Sequence, residues 1–249
     1  MRVDQLLVER GLASTRSQAQ RLIASGVRWL DRDAWRTVKK NGDEVPAQAE
    51  IELLDDAEAR YVSRGGLKLE GALVRVAIDV TGKRCLDVGQ STGGFTDCLL
   101  RRGAAHVVGV DVGQAQLHPS LRDHLQVTVL ESVNARHLTA EQAGEDFDLV
   151  VGDVSFISLT LVLPALAPLL KPGGDLLMLV KPQFELQPGQ IGKSGIVTDP
   201  ALLAFIEQRI RTACAELGLG VKGWFDSPIA GGDGNREFFI HASHQEGKP

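Results

Sequence analysis

A chain of 249 residues, 43% hydrophobic and 24% charged, has ordinary globular composition, which excludes a disordered or low-complexity protein. No apolar run approaches the roughly 20 residues that span a bilayer, and the start from Met1 to Gly11 alternates charge with leucine, so a cytoplasmic protein with no membrane span is expected. The net charge of −5 is unevenly spread: residues 10–40 carry eight cations against Asp31 and Asp33 alone, a basic module on an acidic body.

Val3, Leu6 and Leu7 share one face of a first helix stopped by Gly11. Thr15 with Gln18 three residues on is a capping-box pattern for a second helix, whose buried stripe is Ala19, Leu22 and Ile23 and whose end is Gly26. Short strands follow at Val27 to Leu30, at Thr37 and Val38, and at Ala49 to Leu54, separated by turns at 31–33, at 41–43 and at Pro46. The stretch RVDQLLVERGLASTRSQAQRLIASG resembles the αL RNA-binding module shared by a small-subunit ribosomal protein, pseudouridine synthases and tyrosyl-tRNA synthetases. That resemblance implies phosphate contacts from Arg2, Arg10, Arg16 and Arg21. The turn at 31–33 departs from the Asn-Gly turn usual in that module.

After a charged linker from Asp55 to Arg60, helical periodicity restarts over Tyr61 to Val76 and the pattern becomes α/β. Apolar strand candidates lie at Arg84 to Val88, Val107 to Val110, Val127 to Leu130, Phe147 to Val151, Asp175 to Val180, Val221 to Phe225 and Glu237 to His241, mostly separated by amphipathic helical stretches. The last two are joined by Asp226 to Arg236 with no helix, which predicts an antiparallel return. The expected fold is therefore a Rossmann-like seven-stranded sheet over residues 59–249, with a small α+β domain over 1–58. Cys85, Cys98 and Cys214 are too few and too scattered for a disulfide framework or a zinc site, and no metal is expected.

After the first of the seven strands, Asp87 precedes Gly89, Gln90, Ser91, Thr92, Gly93, Gly94 and Phe95, which lead into a helix. Glycines at a strand-to-helix turn let a ligand approach the backbone. The G-x-x-x-G-G spacing after an acid differs from the G-x-G-x-x-G of a pyrophosphate site, which disfavours NAD. Asp87 suits the ammonium of a methionine moiety. Asp111, 22 residues past Gly89, is placed to accept from two ribose hydroxyls, so S-adenosylmethionine is the expected cofactor.

Asp153 follows the fourth strand, where methyl acceptors sit in such sheets. The Asn/Asp-Pro-Pro-aromatic tip suited to an amino acceptor is absent, as is a cysteine near the fourth or fifth strand end suited to a pyrimidine carbon. Lys181 ends the fifth strand and Glu237 opens the seventh. Charges at apolar strand ends are costly unless paired, and with Lys68 they make two lysines and two acids. A ribose hydroxyl is a poor acid, and a lysine whose neutral form is favoured by burial and a neighbouring ammonium can serve as its base. Lys181 is the expected base, with Asp153 and Glu237 orienting it and Lys68 steering the hydroxyl. Taken singly, each is equally well a surface ion pair.

The set resembles the Lys-Asp-Lys-Glu tetrad of FtsJ-like 2'-O-methyltransferases. The stretches SRGGLKL, LDVGQSTGGFTD, VGVDVG, DVSFISL, VKPQFE, GKSGIV and GNREFF resemble, in order, the TlyA family, in which an αL module precedes such a domain. Gln90 and the segment 114–120 depart from its usual pattern. The resemblance implies methylation of a cytidine 2'-hydroxyl in ribosomal RNA, with Asn134 and Phe156 as further cofactor-pocket residues. Members differ in their ends, and a chain starting at the first helix and stopping soon after the seventh strand leads to the large-subunit cytidine as the expected target. The rival readings are a non-catalytic RNA-binding ribosome-assembly factor, which the complete tetrad argues against, and a nicotinamide oxidoreductase. A haemolytic activity, attached to some relatives, is disfavoured because no pore segment or membrane span is visible.

Overall fold

The computed structural model describes residues 1–54, 60–192, 195–231 and 234–244. Of the expected linker only Arg60 falls among them, and Lys193 and Ser194 of the GKSGIV stretch lie outside. The chain divides into two compact units, Met1–Leu67 and Lys68–Pro249.

In the first unit, α1 (Val3–Glu9) and α2 (Arg16–Gly26) pack with a sheet of β1 (Val27–Asp31), β2 (Ala34–Thr37) and β3 (Ile51–Leu53) in the order β2-β1-β3. Val3, Leu6, Leu7, Ala19, Leu22, Ile23 and Val27 form its core, as the helical spacing predicts. Thr15 caps α2 by accepting from the Gln18 N–H, while the Gln18 carboxamide accepts from Ser14 N at 2.6 Å, so the reciprocal bond reaches one residue further back than a standard capping box. Expected at Thr37 and Val38, β2 begins at Ala34 instead: β1 turns tightly through Arg32 and Asp33, with Arg32 at φ +56°, and Leu30 pairs with Trp35. All four β2 residues are exposed, so no apolar alternation marks the strand in the sequence.

The fully buried Asp4 has a structural role the sequence did not disclose. Arg2 grips it through Nε and Nη2 at 3.0 Å each, and Arg16 Nη2 adds a third bond at 2.9 Å. The Arg2 hydrogen bonds hold the Asp4 carboxyl well below the usual carboxylate range. This stabilisation is present above the unfolded carboxyl's pKa near 4 and is lost as pH falls through the depressed native value. Asp4→Ala is expected to weaken amide protection of α1 and α2 by about 1–2 kcal/mol at pH 7 and progressively less in acid, measured by hydrogen exchange on the whole chain.

The second unit is built on seven strands: β4 (Arg84–Val88), β5 (His106–Asp111), β6 (Val127–Glu131), β7 (Phe147–Gly152), β8 (Leu170–Val180), β9 (Leu219–Asp226) and β10 (Phe238–His244). Their order is β6-β5-β4-β7-β8-β10-β9, with β4 to β8 paired in parallel and β10 antiparallel to both neighbours. The central strands are apolar throughout because both faces are covered, as Leu149, Val150 and Val151 of β7 and Leu176 to Val180 of β8 illustrate. The antiparallel last strand matches the reading of the helix-free connection. Strand β8 starts at Leu170, five residues before its expected start, because Pro172, Gly173 and Gly174 read as a turn yet continue the strand past a register shift in its pairing with β7.

The long helices are α3 (Gly65–Val76), α4 (Gly94–Arg101) and α9 (Pro200–Glu216). The other helices among the described residues of this unit, α5 (Pro119–Arg122), α6 (Ala140–Ala143), α7 (Leu163–Leu166) and α8 (Pro182–Glu185), are single turns. Strand order reverses between β4 and β7, so a crevice opens at their C-terminal ends, where open α/β sheets bind ligands.

Candidate active site

The seam of that crevice is a backbone contact. Asp153 N–H donates to Val88 O at 2.9 Å, and Gly89, at φ +81°, lies so close that a Cβ there would stand 2.6 Å from the Asp153 carbonyl oxygen. Only glycine meets both demands. Beside the seam lies a cavity of about 320 Å³, lined by Gly89, Ser91, Asp111, Asn134, Asp153 and Phe156 among the predicted cofactor residues. It is also lined by Gln116 and Ser155, which sequence reasoning missed. Gln116 accepts from the Ser91 hydroxyl and sits in the 114–120 segment that departs from the family pattern, the one signal that could have found it. Asp111 accepts from Ser91 N and Gly113 N, each at 2.7 Å, which fixes the carboxylate at the end of β5 with lone pairs to spare. Asn134 caps the turn at Ala135–His137 through its side-chain oxygen.

The other four predicted cofactor residues do not line the cavity. Phe95 is turned into the core and stacks on Phe239 at 6.4 Å, because it follows the first residue of α4 and takes the helix face packed on the sheet. Gly93 forms the left-handed N-cap of α4 under Leu117 and Leu121, and Gly94 is buried in the first turn. Asp87 lies beneath the loop, fully buried. One carboxylate oxygen accepts from the Thr96 hydroxyl at 2.7 Å, and Thr96 in turn accepts from Gln90 Nε2 at 2.9 Å. Its other oxygen is buried and has no hydrogen-bond partner. Burial pushes this carboxyl up to about 7. A buried acceptor with a free lone pair next to the loop fits a cationic donor, so the residues present suit the ammonium of S-adenosylmethionine, with Asp111 suiting its ribose.

A native pKa raised from near 4 to about 7 means that Asp87 costs stability as pH rises through that interval. Asp87→Asn is therefore expected to raise the melting temperature at pH 8, to change it little at pH 4, and to weaken S-adenosylmethionine binding about tenfold. Calorimetry at the two pH values and a cofactor titration would check this.

The four charges read as a catalytic set converge in this second unit. Glu237 accepts from Lys68 Nζ at 2.5 Å; Lys68 Nζ stands 4.0 Å from Asp153 Oδ2; Asp153 Oδ1 stands 2.5 Å from Lys181 Nζ. Lys181 also donates to the Ser155 hydroxyl at 2.8 Å. Lys68 comes from the first turn of α3, Asp153 and Lys181 from the ends of β7 and β8, and Glu237 from just before β10. The side chains of Glu237 and Lys68 are 3% and 9% exposed, against 22% for Asp153 and 14% for Lys181, so the Asp153–Lys181 pair is the one more open to solvent. One expectation is corrected: Glu237 pairs with Lys68 and not with Lys181, because α3 places Lys68 Nζ between the two carboxylates.

In the first unit, Arg2 and Arg16 are half-exposed but bound to Asp4. Arg10 departs from the reading as a phosphate contact. Its guanidinium donates to Ala49 O at 2.6 Å and Ala47 O at 2.5 Å, bracing the end of α1 against the chain before β3. Arg21 lies half-buried on α2. Cys85, Cys98 and Cys214 are all free and buried, and among the described residues no group of His, Cys, Asp and Glu is arranged to hold a metal ion.

A parallel sheet that reverses its strand order at Gly89 and closes with one antiparallel strand, carrying an acid at the end of β5 for a ribose, is the architecture of the Rossmann-like S-adenosylmethionine-dependent methyltransferases. The model of the FtsJ-like methyltransferase family matches residues 61–244, and the S4 domain model matches residues 1–26. The chain is 48% identical to the 16S/23S rRNA (cytidine-2'-O)-methyltransferase TlyA of Mycobacterium tuberculosis, over 96% of this chain and 88% of that protein. It is 37% identical to the 23S rRNA (cytidine-2'-O)-methyltransferase TlyA of Campylobacter jejuni, over 76% and 73%. A solved structure from Streptococcus thermophilus that carries the name hemolysin superposes with a TM-score of 0.76 at 40% identity, covering 99% of this chain and 89% of that one. The chain belongs to the FtsJ-like methyltransferases and, among them, to the TlyA family. Among its described residues, no helix is long and apolar enough to cross a membrane.

Proposed function

We propose that this protein methylates the 2'-hydroxyl of a cytidine in large-subunit ribosomal RNA, acting in the cytoplasm, with residues 1–58 binding RNA and residues 59–249 performing the transfer. The observation that supports the reading is the Glu237–Lys68–Asp153–Lys181 row, whose Asp153 also lines the cofactor cavity. S-adenosylmethionine, when bound, supplies an electrophilic methyl group on a sulfonium. Gly89, Ser91, Asp111, Asn134 and Phe156 hold it in the cavity, and Asp87 answers its ammonium from below. Lys181 Nζ removes the proton of the 2'-hydroxyl as the oxygen attacks. Asp153 and Ser155 aim that lysine. Lys68 lends positive charge to the developing alkoxide, and Glu237 keeps Lys68 in place. A base-carbon acceptor is disfavoured because every cysteine is buried within an apolar element. The large-subunit target is the one common to the names of both TlyA relatives.

Lys181→Ala is expected to abolish methyl transfer while leaving S-adenosylmethionine affinity within about threefold, since the lysine meets the hydroxyl and not the methionine. Mapping 2'-O-methyl sites in ribosomal RNA from cells with and without the protein tests the substrate. Loss of a large-subunit cytidine mark is expected, and an unchanged map would leave only an RNA-binding assembly factor.

The RNA-binding arginines are Arg2, Arg16 and Arg21, with Arg10 as a brace. Arg16→Ala and Arg21→Ala are each expected to weaken RNA binding and to reduce the slope of log affinity against log salt by roughly 0.7–0.9, as counterion release requires of one phosphate contact. Filter binding at several salt concentrations would show it.

A further inference from the structure

Two short segments leave the ends of neighbouring parallel strands. One runs from Asp153 to Ser158 after β7, the other from Lys181 to Glu185 after β8. At their near end they are joined by the Lys181 Nζ contacts to Asp153 and Ser155. Midway, Phe156 packs on Phe184 with ring centroids 4.9 Å apart, and Phe156 does so at φ +64°, a conformation that a non-glycine residue keeps only where its surroundings hold it. At the far end Glu185, 3% exposed, receives three bonds: Leu159 N–H at 2.7 Å, the Ser158 hydroxyl at 2.6 Å and Arg209 Nη2 at 2.6 Å. Arg209 reaches in from α9 and also donates to Ser158 Oγ at 3.0 Å, supplying the countercharge that a buried carboxylate needs.

We propose that Glu185 is a positioning residue for methyl transfer: its carboxylate locks the far rung of this ladder and so fixes the distance between Lys181 and Asp153 at the near one. The inference rests on the reading of Lys181 as the base. Two segments of about five residues each, tied at one end only, would swing about their strand ends. Tied at both, they form a closed ring of chain in which the backbone carrying Lys181 cannot swing away from that carrying Asp153 without breaking the bonds of Glu185. Neither Glu185 nor Arg209 lines the cofactor cavity, whereas Asp153, Ser155 and Phe156 of the segment they anchor do, so the cofactor Kd has to be read beside kcat.

The test compares Glu185→Ala, Glu185→Gln and Ser158→Ala in the full-length protein, with kcat on ribosomal RNA and the S-adenosylmethionine Kd measured for each. A misplacement of about 1 Å costs up to roughly 100-fold in rate. For Glu185→Ala we expect kcat to fall about 10- to 100-fold with the cofactor Kd within about threefold. Glu185→Gln keeps an acceptor for Leu159 N–H and is expected to regain part of that rate. If Glu185→Ala does not fold, Ser158→Ala, which removes the hydroxyl rung with its bonds to Arg209 and Thr160 and keeps the Leu159 and Arg209 bonds of Glu185, decides, with an expected loss in kcat of roughly threefold to tenfold at unchanged cofactor Kd. Wild-type kcat in the folded variants overturns the proposal, as does a parallel loss of kcat and cofactor affinity with no recovery in Glu185→Gln, which is the mark of a purely scaffolding role. Lys181→Ala separates the two readings: activity surviving there removes the base assignment itself, whereas an inactive Lys181→Ala beside a fully active Glu185→Ala removes only the positioning role.

Discussion

Two ammonium groups can share a sheet edge only if carboxylates are interleaved with them. Here the order is acid, base, acid, base, with the innermost pair almost sealed from water and the outermost partly open. Deleting any one member leaves its neighbour as an uncompensated charge in a poorly solvated place, which costs more than the pair contributes. The rest of the second unit answers this constraint. The sheet brings Asp153 and Lys181 to adjacent strand ends, α3 inserts Lys68 between the carboxylates, and Gly231 leaves room for Glu237, since a Cβ there would sit 2.7 Å from its Oε1.

The first unit faces the same problem at smaller scale and reverses its sign. One buried carboxylate, Asp4, gathers two arginines that remain half in solvent. Their outer N–H groups still face water while their positions are fixed, which lowers the entropy cost of presenting them to a phosphate. Asp4 thus organises part of the basic surface without cancelling it.

Much of this was legible in the sequence because buried parallel strands are near-continuous apolar runs and charged residues at their ends stand out. Asp153 and Lys181 could be placed at neighbouring strand ends from that pattern alone. Glu237 could be placed at the same edge, but its partner could not, since which of two lysines it meets depends on how α3 packs. Phe95 was read as a ligand contact because it borders the glycine loop, yet helix phase turns it into the core; Asp87 was read the same way, and strand alternation puts it beneath the loop with one oxygen free. Arg10 was read by its charge, whereas its role is set by two carbonyl oxygens far off in sequence. The early start of β8 was hidden by a proline and two glycines that ordinarily mark a turn.

The antiparallel direction of β10 decides how the row of four charges is assembled. A strand running against its neighbours begins where they finish, so the residue just ahead of β10 arrives at the edge where β7 and β8 stop. Since Phe238 is paired with Val180, Glu237 falls opposite Lys181. A slip of β10 by a single place would exchange its inward and outward faces and carry that carboxylate away from Lys68. Under the proposed mechanism the alignment of one hydrogen-bonded ladder is thus a condition for chemistry, and a misregistered sheet could keep its compactness while losing the reaction.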